Sequence, residues 1–274
     1  MSDPFVSVLV PVRNEERYLE RCLYSIARQT YPRERLEVIV IDGMSDDATR
    51  QVVARFAAES TLDLRLLDNP ERLPAHAMNL GLAVARGDVI ARLDGHAAME
   101  PDYLRRCVDA LSEHHADCAG GVLISEGDTY AGDVIALAMS SRFGVGGAAF
   151  RTGGEGGAVD TVAFGAYRRD VFERIGGFAE DIPRGEDDEF NYRLRDAGGV
   201  ILLVPDARVR YTVRGDIGAL WRQYYGYGRA KPEVLARHPA QAQARQFVPA
   251  VFVKALGIFG IAALFGNTTP LRAL

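Results

Sequence analysis

The sequence predicts an α/β protein: a mostly parallel sheet flanked by helices, followed by C-terminal helices and an apolar tail. Three observations carry this expectation. Through residues 5–93, short apolar runs alternate with segments whose apolar residues recur at helical spacing. Acidic residues follow three of those runs, Glu15, Asp42 and Asp94, and sheets of this kind bind ligands at the carboxyl ends of their strands. The chain has 274 residues, 48% hydrophobic and 25% charged, enough for a full core and too apolar for a disordered chain.

Residues 6–10 form the first apolar strand. Asn14 is placed to cap a helix whose first turn carries Glu15 and Glu16 at the positive end of its dipole. Leu19, Cys22, Leu23 and Ile26 continue that helix and Pro32 marks its exit. Residues 36–41 are a second strand, followed by the acidic turn 42–47 and a helix presenting Val52, Val53 and Phe56. A third strand over 62–67 leads through a proline-containing loop to a helix over 75–86, closed by Gly87. A fourth strand, 88–93, ends at Asp94-Gly95-His96.

The glycine-rich stretch 143–159 predicts a mobile loop over the site. Gly144-Val145-Gly146-Gly147 lacks the strand–turn–helix setting of a dinucleotide fingerprint and is rejected as one. A strand over 161–166, a helix over 169–175 ended by Gly176-Gly177, a helix over 186–197 and a strand over 200–204 follow. Residues 247–265 are almost wholly apolar, near the roughly 20 residues that span a bilayer. Pro249, Lys254 and the glycines there favour an interfacial, membrane-docking helix over a core helix.

Net charge is −5 and unevenly spread: from Ala207 onward ten Lys/Arg face only Asp216 and Glu233. A basic C-terminal part suits an anionic partner such as a diphosphate or lipid surface; a solvated basic face is the alternative. No nucleic-acid partner is expected, and the oligomeric state stays open. Cys22, Cys107 and Cys118 have no zinc-type spacing and read as buried thiols of a reducing compartment. No signal peptide is expected, because the chain enters a strand almost at once.

Asp94 and His96 sit two apart at a strand end, where they are either turn residues or groups facing one divalent cation. One oxygen and one imidazole suit Mn²⁺ better than Mg²⁺. Glu186-Asp187-Asp188-Glu189 opens a helix. Acids there stabilise the dipole, but four in a row exceed that need, and mutual repulsion raises a carboxylate's pKa as a general base requires. Asp42 is placed either to cap its turn or to accept hydrogen bonds from a nucleotide, with Arg13 and Glu15 beside it. Together these groups fit the transfer of a sugar from a nucleoside diphosphate.

Several stretches are similar, in order, to the motifs of glycosyltransferase family 2: Val-Pro-Val-Arg-Asn-Glu (10–15), Val-Ile-Val-Ile-Asp-Gly-Met-Ser-Asp-Asp-Ala-Thr (38–49), Asn79-Leu80-Gly81, Ala85-Arg86-Gly87-Asp88 and Leu93-Asp94-Gly95-His96. Gly176-Gly177-Phe178, Gly185-Glu186-Asp187, Arg193-Leu194 and Gly198 continue the resemblance, which covers about residues 5–230. It implies the Rossmann-like GT-A fold and a single sugar transfer with inversion, from a UDP-sugar to a hydroxyl. Pro11, Arg13, Glu15 and Asp42 would line the uridine site, and Asp94 and His96 would hold a Mn²⁺- or Mg²⁺-bound diphosphate. Asp187, beside Glu186, would be the base, and Gln223, Tyr227 and Arg229 would lie near the diphosphate.

His96 stands where the family's Asp-x-Asp has its second acid, and Met44 replaces a small turn residue. The processive Gln-x-x-Arg-Trp motif is absent, so one addition per encounter is expected. Within the family, the glycine-rich loop and apolar tail look most like succinoglycan-type exopolysaccharide enzymes, which add glucose to a lipid-linked saccharide at the cytoplasmic face of the membrane. The expected organisation is a catalytic domain over 1–215, its nucleotide-binding half about 1–97 and its acceptor half about 98–215. A C-terminal helical, membrane-associating segment over 216–274 follows. A non-catalytic sugar-nucleotide-binding subunit of a membrane polysaccharide assembly complex is the alternative. A nucleotidyltransferase would need a glycine-rich phosphate loop where Pro11 to Glu15 stand.

Overall fold

The computed structural model describes residues 3–264, and the chain divides after His238 into two compact units. In the first, β1 (Val6–Val12), α1 (Leu19–Ala27), β2 (Leu36–Asp42), α2 (Thr49–Glu59), β3 (Asp63–Asp68), α3 (Pro74–Val84) and β4 (Val89–Arg92) alternate. There follow β5 (Ala97–Met99), α4 (Tyr103–Glu113), β6 (Cys118–Glu126), α5 (Tyr130–Met139), and the short helices α6 (Arg142–Val145) and α7 (Ala149–Thr152). The unit ends with β7 (Gly157–Ala158), β8 (Ala166–Arg168), α8 (Arg169–Ile175), α9 (Glu186–Asp196), β9 (Ile201–Thr212) and α10 (Ile217–Arg237).

The strands form one sheet in the order β3-β2-β1-β4-β8-β6-β9-β5, with β7 paired to β9. The expected parallel sheet holds for β3, β2, β1 and β4. Beyond β4 the sheet is mixed: β8 runs antiparallel to both neighbours, β9 parallel to β6, and β5 antiparallel to β9. Strand alternation sorts the core onto two faces. Val6, Val8, Val38 and Val40 pack with Leu19, Leu23, Phe56 and Leu104. Leu9, Ile39 and Ile41 pack with Met78, Phe172, Phe190 and Leu194.

Several expectations give way. Asn14 does not cap α1; Tyr18 precedes its first turn, and Asn14 sits in the left-handed region at φ 56°. The strand placed at 161–166 begins only at Ala166, and the strand at 200–204 runs on to Thr212. Pro205 and Asp206 masked that continuation; a register shift opposite Gly121/Val122 lets them bulge out of the β6–β9 ladder. The glycine-rich stretch folds into α6, α7 and β7.

The second unit contains α11 (Ala244–Leu264), whose Phe247, Val251, Phe252, Leu256 and Ile258 are exposed. Among the described residues no helix is long and apolar enough to cross a membrane. The last residues of the apolar tail, from Phe265, lie outside the described residues.

Candidate active site

The loops after β1, β2, β3 and β4 meet the start of α9 and one face of α10 around a cleft of about 490 Å³. Pro11, Arg13 and Glu15 line it from β1, Gly43 from β2, Asn69 and Arg72 from β3, and Asp94 and His96 from β4. Arg184, Glu186 and Asp187 also line it, with Tyr211, Arg214, Gln223 and Tyr227. Three of these loops carry a non-glycine residue with positive φ: Asn14 (56°), Met44 (58°) and Arg72 (60°). Such backbone is held only where surroundings over-determine it. Asn14 shows how: its N–H donates to Ser45 Oγ (2.9 Å), and its Oδ1 accepts from Asp46 N–H (3.0 Å).

Arg92, 12% exposed, is the centre of the site, and the sequence reading passed over it. Its Nε donates to Asp94 Oδ1 and its Nη1 to Glu186 Oε1, both at 2.9 Å. Burial opposes its charge, but Asp94, Glu186 and Asp187 around it override that and hold the guanidinium firmly protonated. One side chain therefore joins the acid after β4 to the acids opening α9. The signal was legible: an arginine interrupts Val89-Ile90-Ala91, two residues before Asp94 and so on the same strand face.

The acidic cluster resolves into unequal members. Glu186 pairs with Arg92, Asp188 with Lys231 Nζ (2.7 Å), and Glu189 with Arg193 (2.9 Å). Burial, then the neighbouring Asp187 charge, raises the Asp188 pKa, with Lys231 opposing. Glu186 is likewise raised, chiefly by burial, against the pull of Arg92. Asp187 has no ion-paired cation among the described residues; its Oδ1 accepts from Asp188 N–H (2.9 Å). It faces both the cleft and a smaller inner chamber of about 110 Å³, which Phe150, Arg151 and Thr161 also line. In that chamber Arg151 Nη1 is buried without a hydrogen-bond partner.

Two candidates are not brought to the cleft. Asp42 is fully buried and its carboxylate turns inward, accepting from Ser45 Oγ (2.5 Å) and Arg50 Nη1 (2.9 Å). It closes its own turn, and Gly43 takes the lining position. Arg229 is exposed on α10: six residues past Gln223, it is turned about 120° away at ~100° per residue, whereas Tyr227 returns to the same side. Gln223 Nε2 donates to the Tyr227 hydroxyl (3.1 Å). The cationic lining instead comes from Arg13, Arg72, Arg92, Arg184 and Arg214, of which only Arg13 was singled out.

No group of three or more His, Cys, Asp or Glu able to hold a metal occurs among the described residues. The Asp94 carboxylate and the His96 imidazole line one cleft, a donor set that fits a divalent cation sharing its shell with substrate phosphates and water. A groove of about 530 Å³ between α4 and β9 shares no residue with this cleft.

A model of the family described as "Glycosyl transferase family 2" matches residues 7–176. The chain is 30% identical over 244 residues to a succinoglycan biosynthesis protein, ExoA, of Rhizobium meliloti (strain 1021), covering 88% of this chain and 73% of that one. Among solved structures, a mannosyltransferase of Pyrobaculum calidifontis in complex with GDP-Man and Mn²⁺ superposes with a TM-score of 0.72 at 23% identity, covering 100% of this chain and 82% of that chain. TarS of S. aureus in complex with UDP gives a TM-score of 0.58 at 23% identity, over 76% of this chain and 60% of that one. The two likenesses carry the fold, an α/β fold with a mixed sheet as in GT-A glycosyltransferases. With the family match spanning more than half of its length and this cleft at the strand ends, the chain belongs to glycosyl transferase family 2.

Proposed function

We propose that the protein is an inverting glycosyltransferase that moves a single sugar, glucose, from a UDP-sugar to a hydroxyl of a lipid-linked saccharide. The product belongs to exopolysaccharide or another cell-surface glycan, assembled at the cytoplasmic face of the membrane. The observation that carries this reading is Asp187, the acid of its cluster without an ion-paired cation among the described residues, lining the same cleft as Asp94 and His96.

Asp187 takes the proton of the acceptor hydroxyl as its oxygen forms a bond to C1 of the sugar. The C1–O bond to the diphosphate breaks on the opposite side, inverting C1, and its electron pair leaves with UDP. Arg13, Arg72 and Gly43 would hold the nucleoside, with Arg184, Arg214, Gln223 and Tyr227 on the diphosphate side. Asp94 and His96 would hold a divalent cation, Mn²⁺ or Mg²⁺, which when bound offsets the charge of the leaving diphosphate. Arg92 ties Asp94 to Glu186 and so fixes the spacing between leaving-group and base sides.

The membrane part of the reading is supported by the exposed apolar side chains of α11 and the basic excess after Ala207. Screening UDP-, GDP- and dTDP-sugars for release of the nucleoside diphosphate, with and without Mn²⁺, tests the assignment. Release from UDP-glucose that rises with Mn²⁺ is expected; release from no sugar nucleotide, even with a polyprenyl-diphosphate saccharide present, would overturn it.

A further inference from the structure

Glu15 was expected to grip uridine, yet its carboxylate is already engaged. Glu15 Oε1 lies 2.8 Å from His96 Nδ1, and both side chains are largely buried, 14% and 12% exposed. The carboxylate gives Nδ1 an acceptor, so the contact favours a proton on that nitrogen. In the neutral ring that leaves the lone pair on Nε2, which has no partner among the described residues while His96 lines the cleft.

Everything around the pair holds it still. Glu15 N–H donates to Thr49 Oγ1 (2.7 Å), and Glu15 O accepts from Tyr18 and Leu19 N–H at the start of α1. The imidazole packs edge-on against Tyr211, ring centroids 5.0 Å apart. Gly95, between Asp94 and His96, leaves the room Glu15 occupies: a Cβ there would stand 2.8 Å from Val12 Cγ1 and 3.1 Å from Glu15 Cγ. The glycine of the Asp-Gly-His turn and Glu15 are thus one packing unit.

We infer that Glu15 is a positioning residue for the cation site: it fixes His96 as the Nδ1–H tautomer and aims Nε2 at a divalent cation shared with the nucleoside diphosphate. The inference rests on the proposed sugar-nucleotide reading and removes Glu15 from the list of groups that grip the base. A carboxylate behind a ligating imidazole fixes its orientation and raises its basicity, and loss of such a partner weakens metal affinity by roughly 10–100-fold.

The test uses the full chain, UDP and Mn²⁺, with free Mn²⁺ followed by its electron paramagnetic resonance signal. Glu15→Ala is expected to weaken Mn²⁺ binding in the presence of UDP by about 10–100-fold, while metal-free UDP affinity stays unchanged. Glu15→Gln, whose amide oxygen still accepts from Nδ1–H, is expected to restore most of the Mn²⁺ affinity. Nitrogen-15 NMR of the metal-free protein is expected to find His96 protonated at Nδ1 alone, and to find that preference lost in Glu15→Ala. Unchanged Mn²⁺ affinity in Glu15→Ala, an Nε2–H or doubly protonated His96 in the unsubstituted protein, or an equal loss of metal-free UDP binding would each overturn the inference. A chain that binds no UDP would instead remove the sugar-nucleotide reading, and the NMR result would still decide whether Glu15 sets the His96 tautomer.

Discussion

At the scale of single residues, charge accounting sets Asp187, the proposed base, apart from its neighbours. Glu186, Asp188 and Glu189 each have a cation against them, so removing any one takes a carboxylate away from that cation. Asp187 has none among the described residues, and Asp187→Asn is expected to keep the fold and UDP affinity while lowering kcat at least about 100-fold, the usual contribution of a positioned base. Steady-state kinetics beside calorimetric titration of UDP separates the two effects; near-normal turnover would remove Asp187 from the mechanism. Met44 makes a different case. It holds φ 58° and is 41% exposed, a conformation that costs a non-glycine residue roughly 1 kcal/mol or more. Met44→Gly relieves that strain but enlarges the unfolded ensemble, so a net gain of about 0.5 kcal/mol in denaturant unfolding is expected. Sequence reading found most of these acids because strand ends and helix starts are visible in one dimension. It misplaced Asp42 because an Asp after a strand looks the same whether it faces a ligand or its own turn.

At the scale of elements, side chains in and beside the family-like motifs act as fasteners. Asn79 on α3 accepts from Phe178 N–H (2.8 Å) and donates to Phe178 O (2.9 Å), the pairing a strand neighbour would make. A Cβ on Gly177 would lie 2.5 Å from Asn79 Oδ1, so the glycine admits that clamp. Arg193 on α9 adds a bond to Gly177 O (2.8 Å). Asn79→Ala leaves the Phe178 backbone groups unpaired and is expected to cost about 2 kcal/mol with little direct effect on chemistry, measured by urea unfolding beside kcat. A second fastener is Glu37, fully buried on β2, which accepts from Ser7 Oγ (2.5 Å), Arg86 N–H (2.7 Å) and Arg65 (2.7 Å). Burial raises its pKa, but these bonds outweigh it and hold the carboxyl below its ordinary 4.5. A depressed carboxyl stabilises the fold above its unfolded pKa and stops doing so as pH falls through its folded value. Glu37→Gln is therefore expected to be less stable than the natural chain at pH 7 by about 2 kcal/mol. That gap should narrow as pH falls below the ordinary 4.5 and on through the lowered folded value; a gap independent of pH would show that charge is not what Glu37 supplies.

At the scale of the whole molecule, the four parallel strands were legible because each is a local apolar run beside a helix of helical period. The other half was not, because its strands are defined by partners: β8 has three residues between two antiparallel neighbours, and β9 crosses Pro205 only by virtue of a bulge. The same divide governs the tail. Its apolarity was plain, but a run containing Pro249 and Lys254 forms a helix that is not long and apolar enough to cross a membrane among the described residues. Exposed side chains such as Val251, Phe252 and Ile258 then need another apolar environment. If that environment is the interface of an anionic bilayer, two forces act together: apolar insertion, insensitive to salt, and attraction of the basic C-terminal part, screened within about 10 Å at 0.1 M salt. The full chain is expected to co-sediment with vesicles containing anionic lipid and to be only partly released by 0.5 M salt. A chain ending at His238 is expected to keep UDP binding, because every residue lining the cleft precedes Pro239, and to stay in the supernatant. Substituting Phe247, Val251 and Phe252 together by serine should give the same loss of sedimentation with catalysis on a soluble acceptor retained. Equal sedimentation of the full and shortened chains would place membrane attachment elsewhere on the protein and leave the apolar helix to a protein partner.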